Sequence, residues 1–299
     1  MAAPAGSEET HNTSGSQGAR NERRMATDSG RSGDLVYNLR GVWLEAPSGG
    51  QATRIASRPV PRQSALLPIL MYHHIRPIDP KTGADPYARE LTVSPTQFEL
   101  QLRYLKERGI SSVSMDDLAL YLQGRKDLPN RSVILTFDDG YEDHYLIAFP
   151  LLGRYGLRGT FFVTTGLVGL EGYLTWSELR WMVAAGMEVG SHSVAHIDLT
   201  RVTPTQRETE LVKSRQELEK ELGVSVQTIA YPSGSYNQDV MAAARKAGYI
   251  LAVTTKYGAI HDRSKPLELS RVRIGGSDAL ATFQAKIEQF FPARQAAAR

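Results

Sequence analysis

The sequence predicts an α/β fold in which parallel strands alternate with helices and close, fully or in part, into a (β/α) barrel of about seven strands. Strand-like and helix-like segments alternate from residue 65 onward, with successive pairs roughly 25 to 40 residues apart, as in parallel βαβ units. Polar motifs follow four strands, near residues 73, 138, 192 and 232. The carboxyl ends of parallel strands form the active face of such folds, so these motifs should converge. A doubly wound open sheet is the alternative, but no glycine-rich dinucleotide motif supports it.

The composition describes a chain with enough apolar residues for a large core and without thiol chemistry. Its 299 residues are 41% hydrophobic, and the formal net charge of +3 is too small to indicate a nucleic-acid partner. The absence of cysteine excludes disulfides, thiolate metal sites and cysteine nucleophiles. No run approaches the roughly 20 apolar residues of a membrane span. No secretory signal is visible, so the sequence alone suggests a cytoplasmic protein, with the oligomeric state open.

Composition also divides the chain into two predicted parts. Residues 1–64 are predicted to be a disordered or loosely packed extension and linker, because they are rich in small and polar residues. Within them, the apolar patch at residues 35–44 could form a strand or a packing arm. Residues 65–299 are predicted to form the catalytic domain.

The first predicted elements lead from a core strand to two helices. Residues 66–72 form a strand that runs into His73 and His74, whose side chains should point to opposite faces. A polar loop is expected over residues 77–91. Ser94 caps a helix that ends near Gly109, and a short helix follows over residues 114–122.

The remaining elements continue the alternation to the end of the chain. The predicted strands cover residues 133–137, 159–163, 187–190, 226–230, 249–254 and 269–274. The predicted helices cover residues 142–155, 175–185, 203–223, 239–246 and 279–291. Pro150 predicts a kink or break in the helix that contains it.

Asp138 and Asp139 close the strand at residues 133–137, and Gly140 then allows a sharp turn. Two like charges at the end of a buried strand are costly unless something neutralises one of them. A divalent metal would do so and would leave the other carboxylate free to act as a base. An ordinary strand-ending Asx turn is the alternative.

His192 and His196 are four residues apart, so they lie on one side of a helical turn or tight loop. With one carboxylate they make a two-histidine, one-carboxylate set that leaves coordination positions open. Zinc is the expected metal, and Co²⁺, Ni²⁺, Mn²⁺ or Fe²⁺ would also fit. Alternatively, His192 caps the loop and His196 lies on the surface.

Three motifs together resemble the polysaccharide deacetylase (NodB-homology) family, carbohydrate esterase family 4. They are TFDDG at residues 136–140, GTFFV at 159–163 and HSVAH at 192–196, and the resemblance extends over about residues 66–275. It implies a deformed (β/α) barrel that removes N- or O-acetyl groups from sugars in a metal-dependent reaction. The implied base is Asp138. The implied metal ligands are Asp139, His192 and His196.

The resemblance also implies an oxyanion loop and a general acid. The loop is Tyr231, Pro232 and Ser233, with the Ser233 amide as donor. The run MYHH at residues 71–74 is similar to the poly-β-1,6-N-acetylglucosamine deacetylase branch, which implies His73 as the acid. We expect a neighbouring carboxylate to raise the pKa of His73. His74 is expected to pack or to support the site from outside it.

Two family features are missing: the arginine that normally precedes the proline loop, and a late Leu-x-His. Arg271 and Arg273 are candidates for part of the missing arginine's role and for substrate contacts. Trp176 could stack on a sugar ring, with core packing as the alternative. Asp143 and His144 are expected to be surface residues of the helix that follows the Asp pair.

The sequence therefore predicts a metal-dependent hydrolase that removes acetyl groups from a glycan such as poly-N-acetylglucosamine, a chitin-like polymer or peptidoglycan. One alternative is an amidohydrolase of small non-sugar amides, and another is an inactive carbohydrate-binding domain. The predicted partner is the acetylated glycan itself. The family resemblance favours action outside the cytoplasm.

Overall fold

The computed structural model describes residues 61–79 and 84–291. Residues 1–60 of the predicted extension, including the apolar patch at 35–44, lie outside the described residues. The first described strand begins at Ser64, one residue before the predicted domain start.

Twelve strands occur in the described residues, most of them where the sequence predicts a strand. They are β1 (Ser64–Leu66), β2 (Ile69–Tyr72), β3 (His74–Ile75), β4 (Thr92–Val93), β5 (Ser111–Ser112), β6 (Ser132–Phe137), β7 (Thr160–Val163), β8 (Glu188–Ser191), β9 (Thr228–Ala230), β10 (Leu251–Tyr257), β11 (Ile260–Asp262) and β12 (Leu269–Arg273).

Seven parallel strands close into a barrel. Their order is β2-β12-β10-β9-β8-β7-β6, and β6 pairs again with β2, with Leu70 opposite Leu135. β5 adds to the outside of β6. The closure confirms the predicted barrel of about seven strands and excludes the open doubly wound sheet.

Eight α-helices occur in the same described residues. They are α1 (Pro86–Glu90), α2 (Pro95–Glu107), α3 (Met115–Leu122), α4 (Phe149–Tyr155), α5 (Trp176–Ala184), α6 (Pro204–Leu222), α7 (Gln238–Lys246) and α8 (Leu280–Glu288). The predicted cap is confirmed at Ser94, whose hydroxyl accepts from the Gln97 amide at 3.3 Å. Among the described residues, no helix combines the length and the apolar character needed to cross a bilayer.

The helix predicted over residues 142–155 is present, and it contains a π-helical segment, His144–Ala148, directly before α4, which has Pro150 in its first turn. The structure differs from the prediction at two other places. The polar loop predicted over 77–91 contains α1. The antiparallel pair β1–β11 and the short strands β3, β4 and β5 were not predicted, since runs of two or three residues carry no periodic signal.

The barrel interior changes from apolar to polar along the strands. Ile69, Ile134 and Phe162 form one buried cluster with Met115 and Leu118 of α3. α3 therefore closes the amino-terminal end of the barrel. The polar side chains that follow the strands lie at the other end of the barrel.

Gly190 in β8 is a packing constraint of this interior. A Cβ atom at Gly190 would lie 2.5 Å from the Phe162 ring and 2.8 Å from Thr228 Oγ1. We expect Gly190→Ala to lower the free energy of unfolding by ~1–3 kcal/mol, since overpacking forces these neighbours to move. Denaturant unfolding measures the change.

Gly153→Ala in α4 is the matched control, because a Cβ atom there meets no heavy atom within 4 Å. It should raise the free energy of unfolding by about 0.5–1 kcal/mol through helix propensity. Equal stability of the two variants would contradict the packing argument.

Candidate metal centre and active site

A cavity of about 330 Å³ opens at the carboxyl ends of the barrel strands. Most of the residues that the sequence nominated converge on it. The nominated residues in its lining are His73, Asp138, Asp139, His192, His196, Tyr231, Ser233, Arg271 and Arg273. Two nominated residues, Pro232 and Trp176, are not part of the lining.

Asp139, His192 and His196 form a compact cluster of possible metal ligands. Asp139 Oδ1 lies 3.2 Å from His192 Nε2 and 3.4 Å from His196 Nε2, and the ligand atoms of all three residues lie within 4.8 Å of one another. His192 Nδ1 donates to the Ala230 carbonyl oxygen at 2.7 Å, which leaves Nε2 with its lone pair toward the cluster. This donor set fits a divalent metal with open coordination positions.

The local charges favour an ionised Asp139. Burial alone would raise its pKa, but the hydrogen bond to His192 and the electrostatic interactions with the neighbouring histidines lower the pKa well below its usual range. The side chain is therefore ready to accept a cation without first losing a proton.

The backbone around this cluster adopts left-handed conformations that residues other than glycine rarely adopt. Four described residues other than glycine have a left-handed φ: Asp139 at 80°, Ser193 at 66°, His196 at 53° and Ser233 at 56°. Each such conformation costs about 1–2 kcal/mol. All four are candidate site residues or lie between two of them, so the strain is concentrated where side chains must be aimed.

Glu210 of α6 holds the loop that carries the two histidines. Its carboxylate accepts from the amides of Val194 and Ala195, both at 2.9 Å. Nothing in the sequence indicates this role, since Glu210 is one of several acidic residues on a charged helix. Ser193 Oγ adds a bond from the His196 amide at 3.0 Å.

Asp138 forms a buried bidentate ion pair with Arg271. Both oxygens of Asp138 accept from the guanidinium at 2.7 Å, and the two side chains are 3% and 1% exposed. Arg271 also donates to the Thr254 carbonyl oxygen at 2.8 Å and to Thr136 Oγ1 at 3.1 Å. Burial would raise the pKa of Asp138, but Arg271 lowers it below its ordinary value.

Arg271, a candidate for substrate contact and for part of the missing arginine's role, lines the cavity. Its guanidinium donates to Asp138, Thr136 and the Thr254 carbonyl oxygen, so in this structure it is the partner of the candidate base.

Burial lowers the pKa of His73 to about 4, and Arg271 and Arg273 act in the same direction. The carboxylates of Asp138 and Asp139 raise the pKa as expected, but burial outweighs them. His73 is therefore neutral at pH 7 in the structure described here. Its backbone carbonyl oxygen accepts from Nε2 of the buried His144 at 2.7 Å.

The neighbours of His73 lie behind the cavity wall. His74 Nδ1 contacts Asp143 Oδ2 at 2.7 Å, and its ring stacks on Tyr141 with centroids 3.6 Å apart. The expectation that Asp143 and His144 are surface residues is wrong: His144 is fully buried and Asp143 is nearly so.

The loop after β9 places Ser233 in the lining of the cavity. The Tyr231 amide donates to the Val253 carbonyl oxygen at 3.2 Å, and the Tyr231 hydroxyl to the Leu267 carbonyl oxygen at 3.0 Å, so both are committed to the fold. Pro232 is buried beneath the loop. Gly234 has a φ of 72° and lets the loop turn against Thr255.

The aromatic lining differs from the one that the sequence nominated. Trp176 packs against the main core. Tyr141 and Tyr173 line the cavity instead, with centroids 5.4 Å apart, and Tyr87 of α1 stands at the mouth with 74% of its surface exposed. Tyr141 follows directly after the Asp-Asp-Gly motif, and this position could have indicated that it lines the cavity.

Comparison with known proteins identifies relatives of this chain. The sequence model of the family described as polysaccharide deacetylase matches residues 125–252. A Bacillus subtilis (strain 168) protein named as a polysaccharide deacetylase, YxkH, is 33% identical over 224 residues, which cover 75% of this chain and 77% of the relative.

Two further relatives are named by their activity. The poly-β-1,6-N-acetyl-D-glucosamine N-deacetylase of Staphylococcus aureus is 29% identical over 62% of this chain and 69% of its own length. The solved structure of the Streptococcus pyogenes deacetylase PplD, in complex with acetate, has a TM-score of 0.70 and 33% identity, and the match covers 77% of this chain and 100% of PplD.

The buried ion pair yields a stability prediction. Arg271→Gln leaves Asp138 buried without its cation, so the free energy of unfolding at pH 7 should fall by about 3–5 kcal/mol. In the wild type the lowered pKa of Asp138 stabilises the fold above its unfolded value near 3.9, and this contribution is lost as the pH falls.

In Arg271→Gln, burial dominates and raises the pKa of Asp138, so the variant should become more stable as the pH falls. The difference in the free energy of unfolding between wild type and variant should therefore be larger at pH 8 than at pH 4.5. Urea unfolding at both pH values measures it, and Asp138→Asn added to Arg271→Gln should restore part of the loss. A difference independent of pH would refute the pairing.

Proposed function

This chain belongs to the polysaccharide deacetylase family, and on that premise we propose that it hydrolyses the acetamide of an N-acetylated glycan to release acetate. The observation that carries the proposal is the single cavity in which a possible metal triad lies beside an ionised, arginine-paired Asp138. Poly-N-acetylglucosamine, chitin-like polymers and peptidoglycan are the proposed substrates. Every residue of this site lies within residues 65–299, which we assign as the catalytic domain.

Asp139, His192 and His196 are the residues that would hold the metal, and Zn²⁺ is the ion we assign, with Co²⁺, Ni²⁺, Mn²⁺ or Fe²⁺ as substitutes. The two histidines and one carboxylate fit such an ion without rearrangement of the hydrogen bond that orients His192. When bound, the metal acts as a Lewis acid on the acetamide carbonyl and makes water easier to deprotonate.

Asp138 is the proposed base. Arg271 keeps Asp138 ionised and fixes the positions of both carboxylate oxygens. Asp138 can therefore take a proton from the attacking water without reorienting its side chain. The Ser233 amide is the proposed donor to the oxyanion that forms at the acetyl carbon, since the Tyr231 amide is committed to the sheet.

His73 is the proposed donor of the proton that the leaving amine needs. It is neutral at pH 7, so it must first gain a proton. The pKa of Asp138 lies below its ordinary value and that of His73 is about 4, so the proton that Asp138 takes from water is not held tightly there and can pass to His73. Breaking the carbon–nitrogen bond then transfers it to the amine, which returns both residues to their starting state.

The rival functions differ from this proposal in substrate or in activity. An amidohydrolase of small non-sugar amides would use the same residues, and the exposed Tyr87 at the mouth favours a sugar over a small amide. A binding domain without activity would not require an ionised base beside the metal triad. An acetate-release assay tests all three, with acetylated glycans and simple acetamides as substrates and Zn²⁺, Co²⁺ or Ni²⁺ added.

The metal assignment predicts a loss of affinity. His192→Ala or His196→Ala should weaken Zn²⁺ binding by at least ~10-fold, since loss of an outer contact alone can reach that size. Equilibrium dialysis with elemental analysis measures the affinity. Asp138→Asn is the control and should keep the metal, because Asp138 pairs with Arg271. Full occupancy in the double variant His192→Ala/His196→Ala would disprove the assignment.

The acid assignment predicts a difference between leaving groups. His73→Ala should slow amide hydrolysis by ~10²–10⁴-fold, the usual contribution of a general acid, because the amine must leave protonated. Hydrolysis of nitrophenyl acetate should suffer much less, because its leaving group departs as an anion. Steady-state rates on both substrates give the ratio, with His74→Ala as the control. Equal losses on ester and amide would show that His73 is not the acid.

A further inference from the structure

Arg273 is a cavity residue that the proposed reaction does not use. It lies two positions after Arg271 on β12, so both side chains point to the same face of the strand, with Arg273 about 6–7 Å nearer to the carboxyl end. Both line the cavity. The guanidinium of Arg271 is committed to Asp138, whereas in the described parts of the chain no carboxylate lies within ion-pair distance of Arg273.

The charges of the cavity leave Arg273 uncompensated once a divalent metal is bound. The charged lining consists of two carboxylates, Asp138 and Asp139, and two guanidinium groups, Arg271 and Arg273. These cancel, so the metal brings the cavity to a formal charge of +2. In the proposed reaction the proton that leaves the water stays in the cavity on Asp138, so hydrolysis of a neutral sugar does not change this total. An anionic group on the substrate is therefore what would lower the net positive charge beside Arg273.

The position of Arg273 indicates which part of the substrate meets it. Arg273 pairs in register with Met71 of β2, and His73 follows two residues later on the same side. The charge of Arg273 acts on the His73 ring. In the proposed reaction His73 faces the leaving amine, so Arg273 lies on the side of the sugar ring and away from the acetyl methyl group.

The same side of the cavity offers a surface for a sugar ring. Leu91 lines the cavity and its carbonyl oxygen accepts from the His74 amide at 3.0 Å, which ties it to the strand end that carries His73. Tyr87, four residues earlier, presents its ring at the mouth. An aromatic face and a free guanidinium together suit a sugar that carries an anionic group.

We propose that Arg273 recognises a carboxylate carried by the sugar ring next to the acetamide, so that the preferred substrate is an anionic N-acetylated glycan. The proposal rests on the proposed deacetylase function. A planar guanidinium matches a carboxylate with two parallel hydrogen bonds, and this cavity offers that match on the sugar side.

The test compares two substrates that differ in one charge. Oligosaccharides containing N-acetylmuramic acid carry a free lactyl carboxylate beside the acetamide, and their methyl esters keep the shape without the charge. We expect the wild type to prefer the free acid in kcat/KM for acetate release. Arg273→Gln should reduce that preference at least ~10-fold, mainly through KM, as loss of a charged hydrogen bond does. Arg273→Lys should restore part of it.

Lys246→Gln is the matched control for total charge. Lys246 lies on α7 away from the cavity and is ion-paired with Glu208, so its loss should leave the preference unchanged. Equal loss on acid and ester in Arg273→Gln, or a wild type without preference for the acid, would overturn the proposal.

A binding measurement separates this proposal from the deacetylase function. Calorimetry with metal-depleted protein should show tighter binding of the free acid than of the ester to the wild type, and no such difference in Arg273→Gln. Acetate release from neither substrate would count against the deacetylase function alone. Absence of the affinity difference would count against Arg273 even if acetate is released.

Discussion

The buried pair between Asp138 and Arg271 is the interaction on which the rest of the site depends. Asp138 follows β6 and Arg271 lies in β12, and both strands flank β2, so the two hydrogen bonds join the strands on either side of the barrel closure. Removing both charges from water is expensive, and a buried pair seldom stabilises a fold more than apolar residues of the same size. Its value here is chemical, because it keeps an ionised carboxylate in a site that burial would otherwise neutralise.

A gradient along the barrel axis makes this pair tolerable. The amino-terminal half of the interior is apolar and is closed by α3, while Thr136, Thr254 and Arg271 form a hydrogen-bonded layer above it. The strained residues stand above that layer, in loops clamped from outside by groups such as Glu210. Rigid packing below and clamped loops above hold the catalytic side chains in place, which is how a fold maintains unfavourable backbone conformations.

Much of this arrangement could be predicted from the sequence, because the information is local. Alternating apolar runs predict the barrel, and the Asp pair and the histidine pair lie at strand ends where parallel topology brings them together. The features that could not be predicted depend on contacts between residues far apart in the sequence. Arg271, the partner of Asp138, is 133 residues away in the sequence. Glu210 is not distinguished in the sequence from the other acidic residues of α6, and only its contact with the histidine loop shows its role.

The direction of the pKa shift of His73 could not be predicted for a related reason. Its sign depends on burial and on two arginines from β12, and none of these contributions is visible in a run of sequence letters. The π-helical segment before α4 shows the same limit in the backbone. Pro150 predicts a break, but the sequence does not show that a π-helical segment precedes it, or that His144 of this segment donates to the His73 carbonyl oxygen.

The closed end of the barrel has a consequence for how a long substrate is handled. Because α3 and the apolar cluster occupy the amino-terminal end of the barrel, the cavity lies at the carboxyl ends of the strands. A polymer would therefore approach the site from that end of the barrel and present an acetamide to it. The architecture therefore suits a chain that lies across one end of the barrel rather than one that passes along the barrel axis.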